Sequence, residues 1–279
     1  MCLLFLYICD TATDDNYRLI LANNRDEYWD RPTALAGFWG PNKHILSGVD
    51  MEPRRERGTW LAVSKAGRIG ALLNIPGTQK HKQCRGMLIP DYLNGELTAC
   101  QYLTQKIQPI HRDFKTFNLV LIDLRSRTTS ATYYNNKTDS KISLPNGVYG
   151  FDNSVLDEAW QKTVHGRFAF HTAVQKYGRK DDKDQLVRSI FNILSDSARF
   201  PEDKHLNEQA KDLYIPENIR LAWSSTFVWS PSIRHGTRTS TILLVDKFGE
   251  CEYIERTFKI PVNPYCLKYQ TKFFRLKLY

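Results

Sequence analysis

The stretch YRLILANN at residues 17–24 decides the fold prediction, because it is apolar on both of its faces. Successive side chains of a β-strand point to opposite sides of the sheet, so Leu19 and Leu21 share one face and Ile20 lies on the other. A strand that is apolar on both faces is typical of a sheet that is covered on both sides. We therefore expect this strand inside a layered structure and not at a surface.

A second apolar run, at residues 3–8, precedes this stretch and is joined to it by a polar turn at residues 10–16. The two runs predict a β-hairpin.

Cys2 stands at the head of the first run, and removal of Met1 would leave it with a thiol and a free α-amine. An α-amine has an ordinary pKa of about 7.7–8.0, so it can act as the base for the thiol near neutral pH. The alternative is that Cys2 is a small core residue near an end.

The rest of the chain alternates between strand-like and helix-like spacing. Glycines and prolines predict an irregular segment at residues 25–58. Further strands are predicted at residues 59–64, 68–75, 117–124, 130–135, 225–229, 239–246 and 251–258. Helices are predicted at residues 87–107, 155–175 and 184–196. This order of elements favours two antiparallel sheets packed together with helices outside, in a single domain over residues 1–279.

Composition excludes several classes of protein. With 42% hydrophobic and 25% charged residues, the chain has the composition of an ordinary globular protein and not of a disordered one. Six cysteines without a CxxC pair favour neither a disulfide framework nor a zinc site, so we expect reduced thiols and no metal. The net charge of +9 attracts anions. The basic residues are scattered, however, and we expect no nucleic-acid partner.

Two polar residues follow predicted inner strands. Asp26 comes just after the second strand, where a carboxylate could hold or orient the α-amine of Cys2. Asn74 ends the strand GALLNI and could donate its amide to an oxyanion. Each residue alone has a simpler explanation, because Asp and Asn at strand ends often cap turns.

A set of motifs in order along the chain resembles the NRDE family, and more narrowly the transport and Golgi organization protein 2 family. The motifs are LANNRDEYWDRP (21–32), FWG (38–40), ILSGVDME (45–52), GTWLAVSKAGRIGALLNI (58–75), VYGFDNSVLDEAW (148–160) and RHGTRTSTILLVD (234–246). Together with the start of the chain, the resemblance extends from residue 1 to about residue 253.

That family is related to N-terminal-nucleophile hydrolases of the cysteine type, which cleave bile-salt and penicillin amides. The resemblance implies an α+β fold, a four-layer αββα sandwich. It matches Cys2 to the nucleophile, Asp26 to the carboxylate on the second strand and Asn74 to an oxyanion-hole residue. Asn153 and Arg238 resemble the later Asn and Arg of the same site. We therefore expect Cys2, Asp26 and Asn74 to converge at one end of the sandwich.

One position departs from the pattern of these hydrolases. They have an arginine three residues before the aspartate, where this chain has Asn23, and Arg25 stands directly before Asp26 instead. Positions 23 and 25 of a strand face the same way, so Arg25 is the expected substitute. If the site is functional, Asp26 holds the α-ammonium of the processed chain beside the thiol, and Arg25 or Arg238 adds positive charge. These charges predict a lowered pKa for the Cys2 thiol.

Three functions remain open. The resemblance implies intracellular haem mobilisation and lipid or acyl-coenzyme A homeostasis, with effects on Golgi organisation and secretory transport. It also implies a location in the cytoplasm, the mitochondrion and at the Golgi. The alternatives are a cysteine amidohydrolase or thioesterase that uses Cys2, and a non-enzymatic Golgi-trafficking adaptor.

The expected ligand is a small molecule, either haem or an acyl-coenzyme A, and no cofactor is required for the chemistry. Basic residues could meet its propionates or phosphates, and peripheral contact with a membrane is also expected. Phe38, Trp39 and Trp60 are candidates to line an apolar pocket. The simpler explanation of these aromatic residues is that they belong to the core.

Overall fold

Fourteen β-strands and six α-helices form within residues 2–53, 57–78 and 82–279, the ranges that the computed structural model describes. The strands are β1 (Cys2–Ile8), β2 (Tyr17–Tyr28), β3 (Thr33–Trp39), β4 (Ile45–Asp50), β5 (Leu61–Ser64), β6 (Arg68–Asn74), β7 (Phe117–Asp123), β8 (Ser130–Asn135), β9 (Ser140–Ser143), β10 (Gly147–Phe151), β11 (Trp229–Ser230), β12 (His235–Asp246), β13 (Glu250–Phe258) and β14 (Tyr269–Lys277). The helices are α1 (Leu88–Asn94), α2 (Ala99–Tyr102), α3 (Gln161–Tyr177), α4 (Lys183–Leu194), α5 (Lys204–Asp212) and α6 (Glu217–Trp223). None of these helices is both long enough and apolar enough to cross a membrane.

The chain divides into two units, which are described separately. Unit 1 comprises Met1–Asp30 and Gly147–Arg275, and unit 2 comprises Arg31–Asn146 and Leu276–Tyr279. The prediction of a single domain over residues 1–279 stays a prediction.

Unit 1 is built on a sheet with the strand order β10-β1-β2-β12-β13-β14, in which the short β11 pairs with β12. Strand β2 pairs antiparallel with β1 on one side and with β12 on the other. Helices α3 and α4 cover one face and share an apolar core with it. Gly166 of α3 permits this approach, because a Cβ at this position would lie 2.4 Å from the ring of Phe5.

Unit 2 is built on an antiparallel sheet with the strand order β3-β4-β5-β6-β7-β8-β9. Helices α1 and α2 pack against it and contribute Leu88, Tyr92 and Tyr102 to its core. A Cβ at Gly70 of β6 would lie 2.8 Å from the side chain of Ile89, so this position needs a glycine for α1 to sit close to the sheet.

Two antiparallel sheets with helices and an α+β class are thus confirmed. Strand β2 is also buried on both faces, as its apolar pattern predicts. The prediction of an irregular segment at residues 25–58 is wrong, because β2 continues to Tyr28 and is followed by β3 and β4. The helix predicted at residues 87–107 is interrupted. Gly95 ends α1, and Thr98 caps the start of α2, which a π-helical turn (Leu103–Ile107) extends.

Candidate active site

Cys2 is the first residue of β1, and it is buried in unit 1. Its backbone nitrogen donates a hydrogen bond to Oδ1 of Asn153 at 2.9 Å. On the neighbouring strand it is directly opposite Arg25, and cross-strand partners project to the same face of a sheet. Met1 lies outside the described residues. The nitrogen that removal of Met1 would turn into an α-amine is therefore already held by a buried amide.

Asn153 is held in place by its neighbour Asp152. One carboxylate oxygen of Asp152 accepts hydrogen bonds from the backbone and the hydroxyl of Ser154, at 2.7 and 2.5 Å. The other accepts from the backbone of Trp160 at 2.9 Å and from the hydroxyl of Thr163 at 2.6 Å. These bonds tie the loop after β10 to the first turn of α3, so the Asn153 amide has little freedom to leave Cys2.

The motif Asn24-Arg25-Asp26-Glu27 lies on β2, and its residues alternate between the two faces of the sheet. The amide of Asn24 donates to the carbonyl oxygens of Leu194 and Thr226, at 2.8 and 3.1 Å. Its Oδ1 accepts from Ser240. Asn24 therefore binds β2 to the end of α4. On the other face, Arg25 forms an ion pair with Glu27 at 3.6 Å.

Asp26 is buried on the face of β2 opposite to Arg25. Its Oδ1 accepts a hydrogen bond of 2.6 Å from the hydroxyl of Thr237 on β12. The register between the two strands shifts here, because Thr237 pairs with Asp26 and Thr239 pairs with Arg25. Arg238 is the extra residue of this β-bulge.

The bulge carries a buried guanidinium that bonds to the end of β2. Arg238 donates from Nη1 to the backbone oxygen of Tyr28 at 3.1 Å. Bulges are over-represented beside active sites, where they re-aim a side chain. Five of the predicted site residues belong to unit 1, and they are Cys2, Arg25, Asp26, Asn153 and Arg238. That Arg238 shares a site with Cys2 stays a prediction.

Burial dominates the electrostatics at Cys2. It raises the pKa of the thiol, the charge of Asp26 raises it further, and Arg25 and a hydrogen bond from the backbone of Asp26 lower it only in part. Before removal of Met1, loss of solvent therefore outweighs the positive charge of Arg25. The lowered thiol pKa expected for the processed chain stays a prediction. Burial likewise raises the pKa of the Asp26 carboxyl, against opposing effects of Lys162 and Thr237.

Lys162, near the start of α3, is a residue of this neighbourhood that the sequence did not reveal. Its side chain is fully buried, and its Nζ donates to the backbone oxygen of Ser225 at 3.2 Å. Burial lowers the pKa of its ammonium, while Asp26, Asp152 and Cys2 act to raise it. A lysine in an amphipathic helix normally indicates the solvent side, so only the structure could place it here.

His235, the first residue of β12, is a second residue that the sequence did not single out. Its ring contacts Tyr28 edge-on, with 5.2 Å between ring centroids. Its buried Nδ1 has no hydrogen-bond partner among the described residues. Burial lowers the pKa of His235 to about 3, and the charges of Arg25 and Lys162 contribute to this shift. The ring is therefore neutral at physiological pH.

The low pKa of His235 predicts an acid-sensitive fold. The ordinary value is 6.5, so between about pH 6.5 and 3 the unfolded chain binds a proton that the folded chain does not. Stability should therefore fall as the pH drops through this window, by up to about 1.4 kcal/mol per pH unit from this group. In His235→Asn the dependence of the free energy of unfolding on pH should be shallower by that amount.

Urea denaturation at several pH values between 7 and 4.5 measures this difference. His171→Asn is the control, because His171 is an exposed histidine of α3 and its replacement should leave the slope unchanged. An identical slope in wild type and His235→Asn would contradict a neutral, buried His235.

Asn23 and Arg25 lie on one face of β2, as the strand period predicts. The amide of Asn23 donates to the backbone oxygen of Leu3 at 2.8 Å. Its Oδ1 is buried and accepts no hydrogen bond from the residues that the structure describes. Arg25 pairs with Glu27, so whether it substitutes for the displaced arginine stays a prediction.

The remaining predicted residues belong to unit 2. Asn74 ends β6 and is exposed, so its role as an oxyanion donor and its convergence with Cys2 stay predictions. Trp39 donates from its indole to Ser47 at 2.8 Å and packs against the core of the unit. Trp60 is buried against Gly48, where a Cβ would lie 2.5 Å from its ring, and Phe38 lies under the ammonium of Lys65.

Within residues 2–53, 57–78 and 82–279, no group of three or more His, Cys, Asp or Glu side chains is arranged to hold a metal ion.

Asp152 and Thr237 also lie in this site, within two of the sequence motifs, but residue type alone does not separate them from ordinary turn and strand residues.

Comparison with known proteins places the chain in a family. The family model for transport and Golgi organisation 2 matches residues 1–260. The Bos taurus transport and Golgi organization protein 2 homolog is 35% identical over 263 residues, covering 92% of this chain and 93% of that protein. The Drosophila melanogaster transport and Golgi organization protein 2 is 30% identical over 268 residues, covering 92% of each chain.

The chain is also similar to solved structures. A Caenorhabditis elegans N-acylethanolamine-hydrolyzing acid amidase ortholog matches with a TM-score of 0.47 and 11% identity, covering 87% of this chain and 92% of that one. A mutant conjugated bile acid hydrolase from Clostridium perfringens matches with a TM-score of 0.42 and 9% identity, covering 98% and 96%. The family model and the sequence relatives each extend over nearly the whole chain, and the protein therefore belongs to the transport and Golgi organisation 2 family.

Proposed function

We propose that this protein is a cysteine hydrolase of acyl amides or thioesters, in which Cys2 is the nucleophile after removal of Met1. The observation that carries the proposal is the 2.9 Å hydrogen bond from the backbone nitrogen of Cys2 to Asn153, in a buried site that also holds Asp26. An α-amine held in this way is positioned to take the proton of its own thiol. The family's link with Golgi organisation is compatible with a lipid-derived substrate.

The reaction proceeds in two steps. The α-amine takes the thiol proton as Sγ attacks the acyl carbon. The same proton then passes to the leaving amine or thiol, and its departure leaves the acyl group on Cys2 as a thioester. In the second step the amine takes a proton from water, the hydroxide adds to the thioester and the carboxylic acid leaves. The amine returns the proton to Sγ, so the enzyme is regenerated.

The raised pKa of the Cys2 thiol before removal of Met1 fits this mechanism. A buried thiol that keeps its proton is protected from oxidation, since the thiolate is the reactive form. It becomes a nucleophile only when a base removes the proton. The α-amine is the base closest in the chain, with an ordinary pKa of about 7.7–8.0.

Asn23 favours an amide as the scissile group. Asn23 lies on the same face of β2 as Arg25, and Arg25 is directly opposite Cys2 on the neighbouring strand. The side-chain Oδ1 of Asn23 is buried. We infer that the N–H of an amide substrate bound at Cys2 would donate to this oxygen, whereas a thioester has no N–H to offer. An amide substrate would thus satisfy an acceptor that is otherwise buried at a cost in free energy.

Incubation of the processed protein with a long-chain N-acyl amide and with a long-chain acyl-coenzyme A tests the proposal. Mass spectrometry should detect the free fatty acid, with faster release from the amide. A chain that lacks Met1 and is folded, but releases no acid from either substrate, would contradict the hydrolase.

A second candidate function, a carrier of haem or of an acyl-coenzyme A, is favoured by a cavity in unit 2. The cavity has a volume of about 480 Å³, within the range of small-molecule sites. Its lining is mostly apolar and aromatic, with Lys106 as the cation for a carboxylate or phosphate. The lining residues are Leu88, Asp91, Tyr92, Gly95, Leu97, Tyr102, Lys106, Ile107, Ile110 and Phe114.

A carrier that uses this cavity should lose affinity when the cavity is filled. Leu97→Trp adds volume at its wall and should weaken haem or acyl-coenzyme A binding by about tenfold or more, the effect of roughly 1.4 kcal/mol. Glu96→Gln is the control, since Glu96 is an exposed neighbour. Fluorescence titration measures both. Affinity that persists in Leu97→Trp but is lost in Arg25→Ala or Trp39→Ala would contradict this cavity as the site.

A further inference from the structure

The end of unit 1 carries basic residues and no acidic ones. Between residues 256 and 275 the chain has no aspartate or glutamate. Its cations there are Arg256, Lys259, Lys268, Lys272 and Arg275. They belong to the end of β13, to the loop at residues 259–268 and to β14, an outermost strand of the sheet. The family model matches only as far as residue 260, and the candidate active site uses none of these residues, so their charge calls for an explanation of its own.

We call residues 259–268 the basic loop. The backbone nitrogen of Lys259 donates to the backbone oxygen of Lys268 at 2.8 Å, so the loop closes at these two lysines. Asn263 shapes its far end, because Oδ1 of Asn263 accepts from the backbone of Tyr265 at 2.9 Å. Both lysines line a cavity of about 290 Å³, whose other walls are mostly apolar and include Val262. The loop thus holds two cations beside an apolar hollow.

Large apolar side chains are exposed beside these lysines. In the basic loop, Ile260 is 55% exposed and Tyr265 is 96% exposed. In β14, Tyr269 and Phe273 are also exposed, and they lie on one face of the strand. Tyr269 is held there by stacking on Phe258, with 4.4 Å between ring centroids. Single exposed apolar residues are normal, but a group of them rimmed by charges indicates a contact with a membrane or a protein.

Two of the five cations are engaged within unit 1. Arg275 forms an ion pair of 3.0 Å with Glu252 of β13, and Arg256 stacks on the ring of Phe191, with 3.9 Å to its centroid. The three lysines are exposed, and they form no ion pair or side-chain hydrogen bond with any residue that the structure describes. A lysine on an outermost strand prevents pairing with another sheet, which explains Lys272. It does not explain the two lysines of the loop.

We propose that the basic loop and the adjoining part of β14 form a contact surface for a membrane that contains anionic phospholipids. In this contact Lys259, Lys268 and Lys272 meet the lipid phosphates, while Ile260 and Tyr265 enter the interface. A lysine can lay its alkyl stem on apolar surface and keep its ammonium at the headgroups. Tyrosine is enriched at the same depth, because its ring is apolar and its hydroxyl is polar.

A lipid surface accounts for both the charge and the apolar side chains of this patch. A free phosphate or a nucleic acid would use the lysines but would gain nothing from an exposed Ile260. A second copy of this chain, seated on the same surface about a two-fold axis, would bring the unpaired lysines together, and like charges repel. The proposal is independent of the proposed hydrolase, because Cys2 takes no part in it.

Sedimentation with lipid vesicles tests this surface in the full chain. Vesicles of phosphatidylcholine and phosphatidylserine in a three-to-one ratio are compared with vesicles of phosphatidylcholine alone. The chain should bind the first and not the second, and added salt should weaken the binding. The triple variant Lys259→Gln, Lys268→Gln, Lys272→Gln should lower the partition coefficient roughly a hundredfold, since each cation near an anionic surface contributes about fivefold. Tyr265→Ala should lower it severalfold at unchanged charge, because the ring no longer enters the interface.

Matched controls make the same changes at other exposed positions of unit 1. The triple variant Lys176→Gln, Lys204→Gln, Lys211→Gln removes the same charge from α3 and α5 and should bind nearly as wild type does. Tyr214→Ala removes a tyrosine that is 91% exposed and should have no effect. An equal loss in the two triple variants, or equal binding to vesicles without phosphatidylserine, would overturn the proposal.

Other occupants give distinct results in the same experiment. Binding of single-stranded RNA without binding to vesicles would overturn the proposal and assign the lysines to a nucleic acid. Self-association that is lost in Tyr265→Ala, again without vesicle binding, would assign the surface to a second copy of the chain. Vesicle binding that depends on the three lysines, in a chain that releases no fatty acid, would sustain this surface and reject the hydrolase.

Discussion

Replacement of Cys2 by alanine should abolish acyl hydrolysis while leaving substrate binding in place. In the proposed mechanism the Cys2 thiol is the protein group that forms a bond to the acyl carbon, so its loss should lower kcat by roughly 10³-fold or more. Cys2→Ser should also be nearly inactive, because a hydroxyl is a far weaker nucleophile near neutral pH. Product release measured by mass spectrometry, and binding measured by titration, separate the two effects.

Cys251→Ala is the matched control for this change. Cys251 is the other buried cysteine of unit 1, on β13, and burial raises its pKa as it does for Cys2. Its replacement should leave turnover close to that of wild type. Turnover that survives in Cys2→Ala would contradict a nucleophilic Cys2 and would favour a carrier, for which the pocket matters and the thiol does not.

Replacement of Phe170 by alanine should be strongly destabilising. Phe170 of α3 is fully buried and stacks on Phe5 of β1, with 5.6 Å between ring centroids. Loss of a buried phenylalanine costs about 3–5 kcal/mol, because apolar contacts are lost and a cavity remains. Phe5 belongs to the strand that begins with Cys2, so this contact also fixes the site.

Phe168→Ala is the control, since Phe168 lies on the same helix but is 73% exposed. Its replacement should change the free energy of unfolding by about 0.5 kcal/mol or less. Chemical denaturation of both variants measures the difference. Equal effects of the two changes would contradict the packing of α3 against the sheet of unit 1.

The apolar parts of the sheets could be predicted from sequence, whereas the polar strand end could not. The run at residues 17–24 has apolar side chains on both faces, and the structure buries both. The same strand continues through Arg25 and Asp26. The sequence becomes polar at these residues, and this polarity had indicated a loop. These side chains are accommodated inside the sheet because ion pairs and hydrogen bonds satisfy them, as the ion pair with Glu27 and the bond from Thr237 show.

The helices show the same limit. A continuous helix at residues 87–107 was expected from its apolar spacing, but Gly95 and the capping box of Thr98 divide it. Strands β9, β10 and β14 and helices α5 and α6 were not predicted, and none of them is longer than nine residues.

The candidate site was predictable only where a motif marked it. The resemblance located Cys2, Asp26 and Asn153, and the structure gathers them within unit 1. Lys162 could not have been found in the sequence, because nothing in a helical stretch distinguishes a buried lysine from a solvated one. Its environment is created by three aspartates from separate elements, which only the fold brings together.

The intact mass of the native protein, recorded before and after brief incubation with a long-chain acyl substrate, tests the central claim most directly. We predict that the purified chain lacks Met1, and that the substrate adds the mass of one acyl group to the N-terminal peptide that carries Cys2. The adduct should be absent in Cys2→Ala and present in Cys251→Ala. A chain that retains Met1 throughout, or that gains no acyl group on Cys2 while product is formed, would contradict an N-terminal cysteine nucleophile.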